Sequence, residues 1–382
     1  MRTRERHWSV TEIGAWRRGC RIGAGTALLV AASGAWAGYV VTPLGDLYGS
    51  DNYALGINNV GQAVGYSFTA GYAAMHATLW TGGVATDLDT LGPDSLAVGI
   101  NNAGQVVGSS TTAGNLERVT LWTGGVATYL GTLDGSHSYA QGINNAGQVV
   151  GYSRTADHPT YHATLWTGGV ATDLDPRGVT NSFALGINNA GQAVGSSAAA
   201  GNAATHATLW TGGVAIDLGT GGYRSYAYGI NNAGQVVGSS NTGGAAGHAT
   251  LWTGGVATAL GTLGGWSQSS ASGINNAGQV VGYSDTGGAA YHATLWTGGV
   301  VIDLNDFLDP FDRAAGWVLN DVGGINDSGW IAVNAYNTVT RSGRAYLMTP
   351  DSASVVPELN TWALMLAGLS VMTAGLRRKR RA

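Results

Sequence analysis

The chain has 382 residues and a formal charge of −4, but 11 of its 18 Lys and Arg lie in the first 21 and last six positions. Between them, leaving aside Glu358 near the C-terminus, seven arginines face 19 Asp and Glu, a net of −12, and so acidic a body excludes nucleic-acid binding through a basic face. With 63 Gly, one Cys and almost no Lys or Glu, the composition excludes a helical bundle and a disulfide-stapled scaffold and reads as strands and turns.

Residues 1–21 are Arg-rich, and 22–37 form an apolar stretch ending in Ala35, Trp36 and Ala37. A basic segment, an apolar segment and a small-x-small end predict a cleaved signal peptide over 1–37, with Gly38 the first mature residue. The single cysteine, Cys20, leaves with it, so no thiol chemistry is expected in the mature protein.

From there one pattern organises the chain. Gly-Ile-Asn begins at Gly56, Gly99, Gly142, Gly186, Gly229, Gly273 and Gly324, in steps of 43, 43, 44, 43, 44 and 51 residues. A near-fixed period of this length is one supersecondary unit repeated, each copy too small to bury its apolar face alone. The fifth unit divides into four pieces of strand character: 225–230, 235–239, 248–252 and 256–260. Asn-Asn-Ala-Gly joins the first two and Thr-Gly-Gly the last two, both tight-turn chemistry. Four strands per 43 or 44 residues is the arithmetic of a β-propeller blade.

The copy count predicts how the array closes. The first three pieces occur seven times, but the fourth follows only the first six units, and a lone strand-like segment at 39–44 precedes the first. An N-terminal strand completing the last blade would remove both open edges. The expectation is therefore an all-β, seven-bladed propeller over 38–350, its innermost strands carrying small residues such as Ala54 and Ala97, and Trp80 and its equivalents packing between blades.

Two clusters invite a metal reading. His76, His162, His206, His248 and His292 each open the third strand of a different blade, so symmetry spreads them around a ring instead of converging them on zinc; a structural role is expected. Asp303, Asp306, Asp309 and Asp312 could supply oxygen ligands to Ca²⁺, but the run lacks the Gly and closing Glu of known loops and reads as a solvated loop. No cofactor is called for.

The last segment, 351–382, holds Val356, Pro357 and Glu358, then an apolar stretch at 361–376 and the basic cluster 377–381. The stretch is short for a spanning helix but adequate for a transient one, so transient membrane insertion through this C-terminal helix is expected, with the basic cluster holding its end in the cytoplasm.

The repeat residues resemble the HAF repeat family of bacterial extracellular proteins: Gly-Ile-Asn-Asn-x-Gly-Gln-x-Val-Gly, His-Ala-x-Leu-Trp and Asp-Leu-Gly-Thr-Leu-Gly-Gly, over about 39–349. Arg118 in place of His and Trp330 in place of Gln depart from it. The tail resembles a PEP-CTERM sorting signal, with Leu359 where a second proline is usual. These resemblances imply export to the cell envelope, surface or matrix of a Gram-negative bacterium and an exosortase-type sorting enzyme as partner. They carry no catalytic residue.

The two turn classes are nearly identical between units, whereas the loops joining the second strand to the third, and one unit to the next, vary. In an antiparallel blade both variable classes emerge on one face, which is the expected recognition surface. Its candidates are Tyr48, Asp94, Asp134, His137, Arg154, His158, Tyr161, Arg177, Tyr223, Arg224 and Trp266. The expected function is a non-enzymatic binding or scaffold module with exopolysaccharide or a cell-surface glycan as partner. The second reading is a glycan hydrolase or lyase on the same fold, for which no carboxylate pair stands out.

Overall fold

The computed structural model describes residues 38–351, apart from 89–90, 113, 115, 135, 156–159, 176–180, 199–203, 220–223, 242–246, 265–267 and 289. The signal-peptide segment and, beyond Asp351, the sorting-signal segment lie outside the described residues. Seven four-stranded antiparallel sheets follow one another along the chain, each in simple sequence order from inner to outer strand except the last. The protein is a seven-bladed β-propeller. In the fifth blade the strands are Ser225–Ile230, Val236–Ser240, His248–Thr253 and Val256–Ala259, within a residue of the sequence expectation.

Blade 7 is built from both ends of the repeat region. Its inner three strands are Trp317–Ile325, Ile331–Asn337 and Gly343–Pro350, and its outermost strand is Tyr39–Pro43, paired from Tyr39 opposite Pro350 to Pro43 opposite Tyr346. The last blade's inner strands are longer than the repeat suggests, because 317–325 carries two register shifts. The extra length in the last inter-unit step forms a short 3-10 turn, Leu304–Phe307, and a one-turn helix, Pro310–Ala314. Asp303 and Asp309 cap them by accepting from the Asn305 and Phe311 N–H groups, which accounts for two members of the acidic run.

The core lies between blades. Each of seven apolar clusters spans one seam, as where Val64 and Ala77 of blade 1 meet Ala97, Val106 and Trp122 of blade 2. Ala54, Ala97, Ala184, Ala227 and Ala271 on the innermost strands are fully buried, as the crowding near the axis requires. Trp80, Trp166 and Trp296 each donate an indole N–H across a seam to the carbonyl of Gly45, Gly131 or Gly261, the link that leaves the preceding blade's outer strand. A serine at the start of the inner strand adds a further pin: Ser95, Ser138, Ser182, Ser225 and Ser269 accept from the third-strand backbone of the blade before.

At the axis the repeated Asn-Asn closes two rings of hydrogen bonds. In the inner ring the Asn58 side-chain amide donates to the Asn101 carbonyl, Asn101 to Asn144, and so on through Asn188, Asn231, Asn275 and Asn326 back to Asn58, all at 3.0–3.1 Å. In the outer ring the backbone N–H of Asn59 donates to Asn102 Oδ1, and the series runs through Asn145, Asn189, Asn232, Asn276 and Asp327 back to Asn59 at 2.9–3.0 Å. The inner asparagines are buried and also brace their own turns, with Asn58 Oδ1 accepting from the Val60 and Gln62 N–H groups. The Asn-Asn-Ala-Gly segment is thus both the hairpin turn expected from sequence and the contact that fixes one blade to the next.

Replacing Asn188 by Ala strips partners from the buried Asn231 carbonyl and from the Ala190 and Gln192 N–H groups. Urea unfolding of the Asn188→Ala variant should show a loss of about 3 kcal/mol. An unchanged midpoint would mean that the ring contributes nothing.

Candidate functional site

The two faces differ in what the repeat leaves constant. One carries the Asn rings and the Gly-Gly turns between third and fourth strands, where Gly82 and Gly83 both adopt positive φ (59° and 83°), as a tight two-residue hairpin requires. The opposite face carries the variable loops.

Several loop candidates serve local structure. Asp94 accepts from the Met75 N–H at 2.9 Å, and Asp134 accepts from both the N–H and hydroxyl of Ser136, folding its own loop. The His137 carbonyl accepts from the Arg154 N–H, while His137 Nδ1 is buried without a partner. The Arg224 carbonyl accepts from the Asn241 N–H. Arg154 stands opposite Tyr161 in the ladder of blade 3. His158, Arg177, Tyr223 and Trp266 lie outside the described residues.

Four of the five repeated histidines pair with the aspartate that ends the neighbouring outer strand: His76 with Asp87, His162 with Asp173, His206 with Asp217 and His292 with Asp303, at 2.6–2.8 Å. In blade 1 the Tyr48 hydroxyl donates to Asp87 at 2.7 Å and lies 3.1 Å from His76 Nδ1. Among the described residues no three His, Cys, Asp or Glu side chains are grouped as a metal site would need. The best-defined pair is His292–Asp303. Its hydrogen bond to Asp303 raises the His292 pKa above 6.5 against the opposing effect of burial. For Asp303, burial alone would raise the pKa, but bonds from His292 and Asn305 outweigh it and hold it below 3.8. The histidine's contribution is complete below its unfolded pKa and fades as pH rises through the raised value; the aspartate's is complete above 3.8 and fades as pH falls through the lowered one. Thermal unfolding of the wild type should therefore be strongest, relative to Asp303→Asn, between about pH 4 and about pH 6.5. Parallel curves for the two proteins would remove the pair from the stability profile.

Aromatic rows run across the variable side, and of their members only Tyr161 was among the sequence candidates. In blade 1 Tyr53 stacks on Tyr66 at 5.2 Å, Tyr66 meets Phe68 at 5.5 Å, and Phe68 meets Tyr72 at 5.0 Å. Tyr72 ends this row 57% exposed, at a φ of +60° that non-glycine residues seldom adopt, with its hydroxyl bonded to Asp51. In blade 3 Tyr139 stacks on Tyr152 at 4.9 Å, and Tyr161 meets both at 6.0 and 5.5 Å. Glu117, held by the Ser109 hydroxyl, adjoins this cluster and hydrogen-bonds Tyr139, whose pKa is raised by burial first and then by that carboxylate. Burial, with help from Asp51, pushes the Tyr53 hydroxyl up to about 12.

Toward the axis a cavity of about 430 Å³ is lined by Gln141, Leu185, Tyr228, Ser270, Ser272 and Tyr283 from the inner strands of four successive blades and one second strand. Asp321, on the inner strand of blade 7, is reached by solvent yet crowded enough that desolvation raises its pKa, against bonds from the Val322 N–H and Asn334. The signal for these residues was present in the sequence. The position of Tyr53 is again tyrosine at Tyr139 and Tyr226 but Leu96, Phe183, Ser270 or Asp321 in the other blades, a variation that lies inside a strand and not in the loops.

No family model matches the chain, and neither does any curated protein. Similar solved structures include TolB from Acinetobacter baumannii, at 12% identity and a TM-score of 0.39 over 64% of each chain. An acylaminoacyl peptidase from Pyrococcus horikoshii is similar at 12% identity and 0.48, over 78% of this chain and 51% of that one. A gluconolactonase from Xanthomonas campestris is similar at 9% identity and 0.33, over 81% and 91%. The match spans about two-thirds of the TolB chain and half of the peptidase. Likenesses this distant carry no argument about activity, and the fold rests on the sheet order itself.

Proposed function

We propose that the protein is an exported, non-catalytic module that binds hydroxyl-rich saccharide chains across its variable face and holds them at the cell envelope or in extracellular matrix. The observation that carries this reading is the pair of aromatic rows flanked by carboxylates, Tyr53 to Tyr72 with Asp51 and Tyr139 to Tyr161 with Glu117. Aromatic rings offer flat apolar area to the C–H face of a sugar, and carboxylates accept from its hydroxyls without needing a counter-charge. The residues that resemble HAF repeats, and the tail that resembles a sorting signal, support export and handling by an exosortase-type enzyme.

A second reading as a glycan-cleaving enzyme is favoured by Asp321, whose raised pKa near the axis suits a general acid. Binding to a polysaccharide array followed by analysis for shortened products separates the two. Retention without products is expected, and Tyr72→Ala combined with Tyr161→Ala should weaken it about tenfold. Products that disappear in Asp321→Asn would establish the second reading, and unchanged retention by the double variant would remove the aromatic rows from recognition.

A further inference from the structure

The opposite mouth of the channel, framed by the Asn rings, leaves donors over. The outer-ring carboxamides have only one possible orientation, because a backbone N–H can only donate and the side-chain oxygen must face it. That turns the NH₂ groups of Asn102, Asn145, Asn189 and Asn232 away from the backbone. None of the four has a protein acceptor among the described residues, and all four line a polar cavity of about 150 Å³ with a ring of isoleucines beside them. Each NH₂ carries two donors.

Blade 7 breaks the pattern. Asp327 Oδ2 accepts from the side-chain amides of Asn59 at 2.7 Å and Asn276 at 3.0 Å, and Oδ1 accepts from the Asn276 N–H at 2.9 Å. With about four lone-pair sites on a carboxylate, one remains open.

A ligand at this mouth must accept along most of the rim and donate at one point. A carboxylate cannot donate, and phosphate, though it keeps a P–OH, would like a carboxylate bring negative charge against Asp327 inside an acidic body. An ammonium group cannot accept. A hydroxyl does both, and the lining it would meet is almost wholly polar, since Ile143, Ile187 and Ile230 are packed into the seams between blades. We propose that this mouth is a binding site for one uncharged polyhydroxyl unit of monosaccharide size, held by Asn102, Asn145, Asn189, Asn232 and Asp327. The site lies on the face opposite the aromatic rows and stands independently of what those rows bind.

The test titrates the full chain with glycerol, myo-inositol and methyl α-D-glucopyranoside, following the asparagine side-chain amide signals by NMR. At least one probe should shift the four amides at millimolar concentration. Asn145→Asp combined with Asn189→Asp keeps the oxygen that accepts from the neighbouring backbone and removes the donors, at a position where blade 7 naturally carries Asp. This variant should bind about tenfold more weakly with its unfolding temperature little changed, and Asp327→Asn several-fold more weakly. Tyr72→Ala should bind as the wild type does. No shift with any probe, undiminished binding by the double variant, or tighter binding of inorganic phosphate than of the polyols would each overturn the proposal.

Discussion

Each blade passes one side-chain amide proton to a backbone carbonyl of the next and one backbone proton to the next side chain, and the seventh passes both to the first. This head-to-tail circuit is the constraint on which the rest depends. A blade by itself has an unfilled amide and an unfilled carbonyl at the axis, and these can be satisfied together only when the count lets the circle meet itself. Buried amides are costly to leave open, so the circuit penalises an open array at the centre while the apolar seams stabilise it farther out. Trp330 shows the seam at which closure happens: it takes the place of a glutamine, and its ring covers Gly61, a turn residue at φ +82° with no side chain in the way.

The same circuit explains why one face is constant and the other free to vary. Residues at the axis answer to the identical residue one period away, so a change in one blade must suit two neighbours. The loops on the other side meet their neighbours through contacts that differ from seam to seam, such as Met75 to Asp94 and Tyr161 to Asn181, so no common residue is imposed on them. Aromatic rows could therefore accumulate in blades 1 and 3 without disturbing closure.

The fold was legible because the repeat announces its own arithmetic. A period of 43 or 44 residues gave four strands, and a missing fourth strand after the last unit pointed to Tyr39–Pro43 as its replacement. The inter-blade bonds were not legible, because a residue that pairs with its own equivalent looks like any conserved turn. Asn58 and Asn101 reach one another only through the geometry of the ring. The site was partly hidden for another reason. Loop variability pointed to Asp94, which is committed to the Met75 N–H of the preceding blade, and to Asp134, committed to Ser136, whereas the varying aromatics sit inside strands otherwise set by packing.

The pairing in blade 7 also decides how the molecule would bear load. The strand 343–350 is not at the edge of its sheet: it lies between 331–337 on one side and 39–43 on the other. Tension applied to the chain beyond Pro350 enters a strand gripped along both flanks, and peeling it away must break two ladders together. The edge strand beside it shields the joint. A propeller tethered through that point would yield at its attachment later than one whose final strand lay exposed.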